Sequence, residues 1–159
     1  MHYRIIEPKD NLILANIIRD NLKANKLDIP GTVYFDENLN NLSDFYLASP
    51  QRAYFIALDD NDNIIGGIGL AELGFMDDTA ELQKLYLTDA VKGQGLSYKL
   101  IELVEETALN KGYNRIYLET HTNLKAAIHL YEKCGYKLIE KPKEVVHSSM
   151  NRFYLKELI

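Results

Sequence analysis

The residues best suited to chemistry lie in the short segment Lys92–Ser97, which reads Lys-Gly-Gln-Gly-Leu-Ser. It follows Ala80–Leu87, whose alternating polar and apolar residues are typical of a strand, and it precedes apolar residues at helical spacing. The first N–H groups of a helix have no partner within the helix, and the helix dipole adds partial positive charge there. Because Gly93 and Gly95 have no side chain, a bulky anion can approach these groups closely. The segment therefore predicts a phosphate or pyrophosphate site, to which Lys92 adds a full positive charge.

The spacing excludes two common phosphate-binding loops. No Gly-Lys-Ser/Thr sequence closes the segment as in a Walker loop, and Tyr98 stands where a dinucleotide fingerprint has its third glycine. A tight strand-to-helix turn without a ligand is the plain alternative for Gly93 and Gly95 taken alone. Other segments of the sequence are needed to distinguish a phosphate site from a turn without a ligand.

A second segment, residues 123–136, reads Asn-Leu-Lys-Ala-Ala-Ile-His-Leu-Tyr-Glu-Lys-Cys-Gly-Tyr. Its apolar residues recur at helical spacing, and Gly135 is typical of the end of a helix. We expect Thr122 or Asn123 to cap this helix, because side chains of both types accept hydrogen bonds from the first turn. On spacing alone, Tyr131 would be an ordinary core residue of an amphipathic helix.

Together the two segments resemble the GCN5-related N-acetyltransferase (GNAT) family. In that family a strand leads to a Gln/Arg-x-x-Gly-x-Gly/Ala turn that holds the pyrophosphate of acetyl-coenzyme A. An Asn-x-x-Ala-x-x-x-Tyr-x-x-x-Gly-Phe/Tyr block then follows, in the same order and at a similar separation as here. Two residues depart from the pattern: Lys92 replaces the usual Arg or Gln, and Ser97 replaces the usual Gly or Ala. Lysine keeps the charge but lacks the bidentate fork of arginine.

The resemblance implies an acetyltransferase that uses acetyl-CoA as cosubstrate. The acetyl group would move to a primary amine of a small molecule, or of a peptide, by direct attack in a ternary complex. The residues that the resemblance places against the coenzyme are Leu85, Tyr86 and Leu87 along the pantetheine arm, Lys92, Gly93, Gln94, Gly95, Leu96 and Ser97 around the pyrophosphate, and Asn123 near the pantetheine.

Two proton transfers define the catalytic candidates. An amine with the reference pKa of lysine, about 10.4, is mostly protonated at neutral pH and needs a base, while the leaving thiolate needs an acid. The resemblance implies Tyr131 as the general acid and Glu81 as the base. Every second residue from Glu81 to Leu87 shares one face of a regular strand, so we expect Glu81 to look into the cleft. Glu119 and ordered water remain alternatives for the base.

The elements that must position these residues alternate between strands and helices. Apolar patterns predict strands at Tyr3–Ile6, Arg52–Asp59, Ile64–Leu73, Ala80–Leu87, Tyr113–Glu119, Tyr136–Ile139 and Asn151–Leu158, and helices at Pro8–Asn25, Glu37–Leu47, Leu96–Lys111 and after Asn123. A strand, helix and strand of this length imply a parallel, right-handed crossover.

With the resemblance, these elements predict an α/β fold. We expect a mixed, mostly antiparallel sheet with flanking helices and two central parallel strands that splay to admit the coenzyme. The length of 159 residues suits one N-acetyltransferase domain spanning residues 1–159.

Composition limits the choice of partners and location. A net charge of −5 argues against a nucleic-acid binder and leans toward a cationic amine substrate. No apolar run approaches the ~20 residues of a membrane span, and no signal peptide is evident, so we expect a cytoplasmic protein with no membrane partner. A symmetric homodimer is the default expectation for its assembly.

We expect no metal site. The four histidines show no metal-binding spacing, and Cys134 is the only cysteine. The acidic run Asp59–Asp62 lacks the spaced ligands of a calcium loop and reads better as a solvated hairpin turn.

Two other functions compete with the enzyme. A non-catalytic acyl-CoA-binding sensor or interaction module would have the same fold, and a nucleotide-binding protein could use the same turn. The acceptor pocket would come from Asp28–Tyr46, the strand around Glu81, and the loop Lys141–Asn151, none of which reveals the acceptor.

Overall fold

The computed structural model describes the whole chain, residues 1–159, as seven strands and four α-helices. The strands are β1 (His2–Ile5), β2 (Ala53–Leu58), β3 (Ile64–Glu72), β4 (Thr79–Leu87), β5 (Arg115–Thr120), β6 (Lys137–Ile139) and β7 (Arg152–Glu157), and the helices are α1 (Asn11–Ala24), α2 (Leu42–Leu47), α3 (Leu96–Asn110) and α4 (Lys125–Lys133). The strands form one sheet in the order β1-β2-β3-β4-β5-β7-β6.

The sheet opens between its two parallel strands. All other neighbours are antiparallel, whereas β4 and β5 run parallel and pair only from Thr79 opposite Arg115 to Glu81 opposite Tyr117. Strand β5 instead pairs along its whole length with β7. Beyond Glu81 the two central strands separate, which confirms the predicted fold class, including the splayed parallel pair.

Both faces of the sheet are covered by helices. On one face α3 and α4 pack over a cluster of 16 buried residues that includes Leu82, Leu87 and Tyr131. On the other face α1 and α2 pack over a cluster of 12 buried residues that includes Tyr46 and Tyr54. Because both faces are buried, β3 reads as a nearly continuous run of apolar residues and glycine. None of the helices combines the length and the apolar content that crossing a bilayer requires.

A β-bulge in β4 makes the predicted strand alternation wrong beyond Gln83. Gln83 lies opposite Gly69 and Tyr86 opposite Gly67, so three steps on β4 face two on β3. Lys84 sits in the bulge with a φ of 50°. Leu85 and Leu87 therefore pack on the α3 face, whereas the Gln83 side chain bonds the Tyr46 hydroxyl on the α2 face and Tyr86 packs there as well. Glu81 does not share a face with Leu85 and Leu87.

The predicted cap of α4 is also wrong. The helix begins at Lys125 after Leu124, and neither Thr122 nor Asn123 caps it. The N–H of Thr122 instead donates to Asn151, and the N–H of Asn123 donates to Nδ1 of His121, both at 3.0 Å. These bonds fold the segment into a turn before the helix starts.

Candidate active site

A cleft of about 510 Å³ lies where β4 and β5 separate. The residues that line it and that the sequence had singled out are Leu85, Tyr86, Leu87, Lys92, Gly93, Gly95, Leu96, Ser97, Glu119 and Tyr131. They come from the end of β4, the turn before α3, the end of β5, and α4. A volume of this size is typical of small-ligand and cofactor sites.

At one end of the cleft, the turn before α3 leaves the start of that helix open. Gly93 and Gly95 have φ values of 81° and 74°, and a Cβ atom built on either would meet nothing within 4 Å. No side chain caps the helix, so its first N–H groups have no intrahelical or side-chain partner. Lys92 lies beside this opening and pairs with Asp89 at 2.7 Å. The turn thus has the free donors, space and positive charge that a diphosphate requires.

Two of the sequence-predicted coenzyme residues do not line the cleft. Gln94 is exposed, and its amide donates to the carbonyl oxygen of Ala90 at 3.4 Å. Asn123 is exposed as well, and its amide donates to the carbonyl oxygen of Asn25 at 3.0 Å. Both side chains are occupied by backbone carbonyl oxygens, and of the two partner residues only Asn25 lines the cleft.

Asn21 is a cleft residue that the sequence did not single out. Its amide donates to the carbonyl oxygens of Ile17 and Leu87, at 2.9 and 3.0 Å, and so ties the end of β4 to α1. Asn25 lines the cleft one helical turn later. The sequence does indicate both residues, because their polar amides occupy positions at which the helical spacing of α1 would place buried apolar side chains.

Between the turn and the far end of the cleft runs the free edge of β4. Past Glu81 this strand has no partner on β5, and at the bulge Lys84 and Leu85 have no register partner on β3 either. The hydroxyl of Tyr54 donates to the carbonyl oxygen of Lys84 at 2.8 Å and braces the bulge from the opposite face. Backbone groups along this edge can therefore receive an extended ligand in the way that a sheet receives an added strand.

Tyr131 offers its phenol to the cleft. Its side chain is 6% exposed and packs edge-to-face on Tyr136, with the ring centroids 5.9 Å apart. The Tyr131 hydroxyl has no hydrogen-bond partner in the chain. Every fully buried side-chain polar atom does have one, so this hydroxyl is not fully buried, and it opens on the cleft that the residue lines. Burial, with Tyr86 and Cys134 nearby, raises the pKa of Tyr131 far above its ordinary value. The phenol is therefore protonated and can act as a proton donor.

The two carboxylates considered as the base occupy different positions. Glu81 does not line the cleft; it accepts a hydrogen bond from Gln83 at 2.5 Å, and burial raises its pKa, with a smaller contribution from the charge of Glu119. Glu119 does line the cleft and accepts from the Tyr117 and Ser148 hydroxyls at 2.8 and 3.0 Å. Of the two, Glu119 is the carboxylate in contact with the open space.

The fold matches that of solved acetyltransferases over nearly the whole chain. A GNAT-family acetyltransferase from Staphylococcus aureus Mu50 has a TM-score of 0.85 at 23% identity, with 99% of both chains covered. An aminoglycoside 6'-N-acetyltransferase solved with coenzyme A has a TM-score of 0.69 at 19% identity, covering 100% of this chain and 98% of that one. These similarities show a shared fold.

Sequence similarity identifies the family. The uncharacterised N-acetyltransferase YjgM of Escherichia coli K12 is 38% identical over 138 residues, which span 83% of this chain and 79% of that protein. The sequence pattern of the acetyltransferase (GNAT) family matches residues 16–136, a span that contains both the turn before α3 and Tyr131. With this match and the geometry of the cleft, the chain belongs to the acetyltransferase (GNAT) family.

Proposed function

We propose that this protein moves an acetyl group from acetyl-CoA to a primary amine of a small molecule or peptide, by direct attack in a ternary complex. Residues 1–159 would form one N-acetyltransferase domain. The observation that carries the proposal is one continuous cleft that joins an uncapped helix N-terminus to a phenol without a hydrogen-bond partner in the chain.

The parts of the cleft suit the parts of the coenzyme. The N–H groups at the start of α3, with Lys92 and Ser97 beside them, would hold the diphosphate. The free edge of β4 at Leu85–Leu87 would hydrogen-bond the pantetheine arm. The side-chain amides of Gln94 and Asn123 would share in this binding only after breaking their present hydrogen bonds to backbone carbonyl oxygens.

Tyr131 would give its proton to the departing thiolate. A thiol has a reference pKa of about 8.5, below that of a phenol, so the transfer depends on close placement in a site that excludes water. Such a site also raises the basicity of the thiolate, because burial disfavours the charged form of both groups. On the acceptor side, Glu81, Glu119 or water would take the proton of the attacking amine, and only Glu119 of the two carboxylates already faces the cleft.

Calorimetric titration with acetyl-CoA tests the coenzyme site. Gly95→Asp puts a negative side chain where the diphosphate would lie, and we expect it to abolish binding. Gly112→Asp is the matched control, because Gly112 also has a positive φ, of 92°, and open space around it but follows the other end of α3. Equal binding by both variants would contradict the proposed site.

Thiol release with a panel of amines tests the reaction itself. We expect amine-dependent release of coenzyme A from the unaltered protein. Tight coenzyme binding without release for any amine would overturn the enzyme and leave the acyl-CoA sensor.

A further inference from the structure

Lys84 is a partly buried lysine whose ammonium group has no partner in the chain. All other lysines are exposed, and three are partly buried: Lys84, Lys111 and Lys156. Lys111 donates to the carbonyl oxygen of Pro50, and Lys156 pairs with Glu105 at 2.9 Å. The Nζ of Lys84 makes neither a hydrogen bond nor an ion pair, and the side chain lines the cleft. Lys84 is therefore the one partly buried lysine without a hydrogen-bond or ion-pair partner.

Lys84 lies at the end of the cleft away from the phosphate turn. Strand β4 runs from Glu81 through the bulge toward Leu87, and the turn Lys92–Ser97 follows. If the diphosphate binds at the turn, the neutral pantetheine arm would occupy the free edge of β4 between Lys84 and the turn. The coenzyme would then bring no anion to Lys84, and any anionic partner would have to come with the acceptor.

Partial burial of an unpaired ammonium costs free energy, and a bound anion relieves that cost. Burial lowers the pKa of Lys84, and the carboxylates of Asp36 and Glu81 oppose this shift without reaching ion-pair distance. A ligand carboxylate beside Nζ would form a charge-assisted hydrogen bond. Glu119, which lines the cleft from the neighbouring strand β5, supplies the opposite charge for an amine.

We infer that the acceptor is an amine that also bears a carboxylate, and that Lys84 binds this carboxylate while the amine lies on the Glu119 side. This inference rests on the proposed acetyl transfer and narrows its substrate class to amino-acid-like zwitterions. Lys84 would then determine specificity and would take no part in the proton transfers.

Matched acceptors test the inference by thiol release. Each pair is an amino acid and its decarboxylated amine: lysine and cadaverine, ornithine and putrescine, arginine and agmatine. We expect kcat/KM to be roughly 10- to 100-fold higher for the amino acid of at least one pair, as the loss of a charged hydrogen bond predicts. Lys84→Met, which keeps the length of the side chain, should bring that ratio close to one, whereas Lys84→Arg should preserve it.

Folding of both variants is checked by thermal unfolding and by acetyl-CoA binding. Transfer to the decarboxylated amines alone, or equally to both members, overturns the inference and leaves the proposed function standing. A preference for amino acids that survives Lys84→Met also overturns it, because another residue must then bind the carboxylate. Absence of thiol release with every acceptor overturns the proposed function together with the inference.

Discussion

Two tyrosines that pack against each other differ in what their hydroxyls can do. The Tyr136 hydroxyl donates to Glu105 at 3.1 Å, which joins the start of β6 to α3. The Tyr131 hydroxyl has no such partner and opens on the cleft. The Tyr136 hydroxyl therefore stabilises the fold, while the Tyr131 hydroxyl is available to a molecule in the cleft.

Removing each hydroxyl in turn separates these roles. We expect Tyr131→Phe to lower kcat by roughly 10²- to 10⁴-fold, the usual contribution of a general acid, with little change in stability or acetyl-CoA binding. Tyr136→Phe should lower the free energy of unfolding by about 1 kcal/mol and keep kcat. Steady-state kinetics and urea unfolding measure both effects. An unchanged kcat in Tyr131→Phe would exclude the Tyr131 hydroxyl as the general acid.

The identity of the base should appear in the pH dependence of kcat/KM. A carboxylate base works only when ionised, so activity rises as pH rises through its pKa. Burial raises the pKa of Glu81, which places this rise above the range of an ordinary carboxyl, about 4.3. If Glu81 is the base, Glu81→Gln removes the rise, and Glu119→Gln moves it to lower pH because a neighbouring negative charge is gone.

The same two variants distinguish the alternatives. If Glu119 is the base, Glu119→Gln lowers kcat/KM at every pH and Glu81→Gln keeps the rate. If both variants keep both the rise and the rate, ordered water takes the proton and neither carboxylate is the base.

At the scale of elements, the bulge in β4 decides which side chains of this strand face the cleft. The sequence predicts the strand and its end correctly, but the bulge depends on how β4 pairs with β3. The register shifts between Gly67 and Gly69 of β3, and glycine within a strand is typical of a bulge or a close backbone approach. Alternation within β4 alone could not reveal it, since it is a property of two strands.

The glycines of β3 also make a stability prediction. A Cβ atom on Gly67 would lie 2.4 Å from the Tyr54 ring and 2.6 Å from the carbonyl oxygen of Phe55. We expect Gly67→Ala to lower the free energy of unfolding by about 1–3 kcal/mol through overpacking, and thermal unfolding measures this loss. Gly74→Ala is the control, because nothing lies within 4 Å of its Cβ position. Equal melting temperatures for the two variants would contradict this packing.

At the scale of the molecule, the cleft follows from strand order. Strand β7 inserts between β5 and β6 and pairs with all of β5, while β4 keeps only three pairs with β5. The turn before α3 and Tyr131 could be predicted because each belongs to a local motif. The cleft-facing position of Lys84 could not be predicted, since it depends on how β4 pairs with β3, whereas Asn21 interrupts the apolar pattern of α1 and could have been noticed.

The stability of the whole molecule should depend on pH through Asp10, which joins β1 to the start of α1. Its side chain is 1% exposed and accepts hydrogen bonds from both guanidinium nitrogens of Arg4, at 2.7 and 2.9 Å, and from the N–H of Glu7 at 2.8 Å. Burial alone would raise the pKa of Asp10, but these bonds outweigh it and hold the pKa below its ordinary value. The folded state therefore binds this proton less readily than the unfolded state does. The stabilisation is complete above the unfolded pKa, about 3.9, and is lost as pH falls through the lower folded value.

We expect Asp10→Asn to lower the free energy of unfolding at about pH 7 by about 1–3 kcal/mol, because the charged hydrogen bonds are weakened. The difference from the unaltered protein should shrink at about pH 3, since the unaltered carboxyl is then becoming protonated as well. Urea unfolding at the two pH values measures this. Asp20→Asn, an exposed change on α1, should leave the pH dependence as it is. If the difference caused by Asp10→Asn is the same at both pH values, the ionised Asp10 is not what stabilises this end of the sheet.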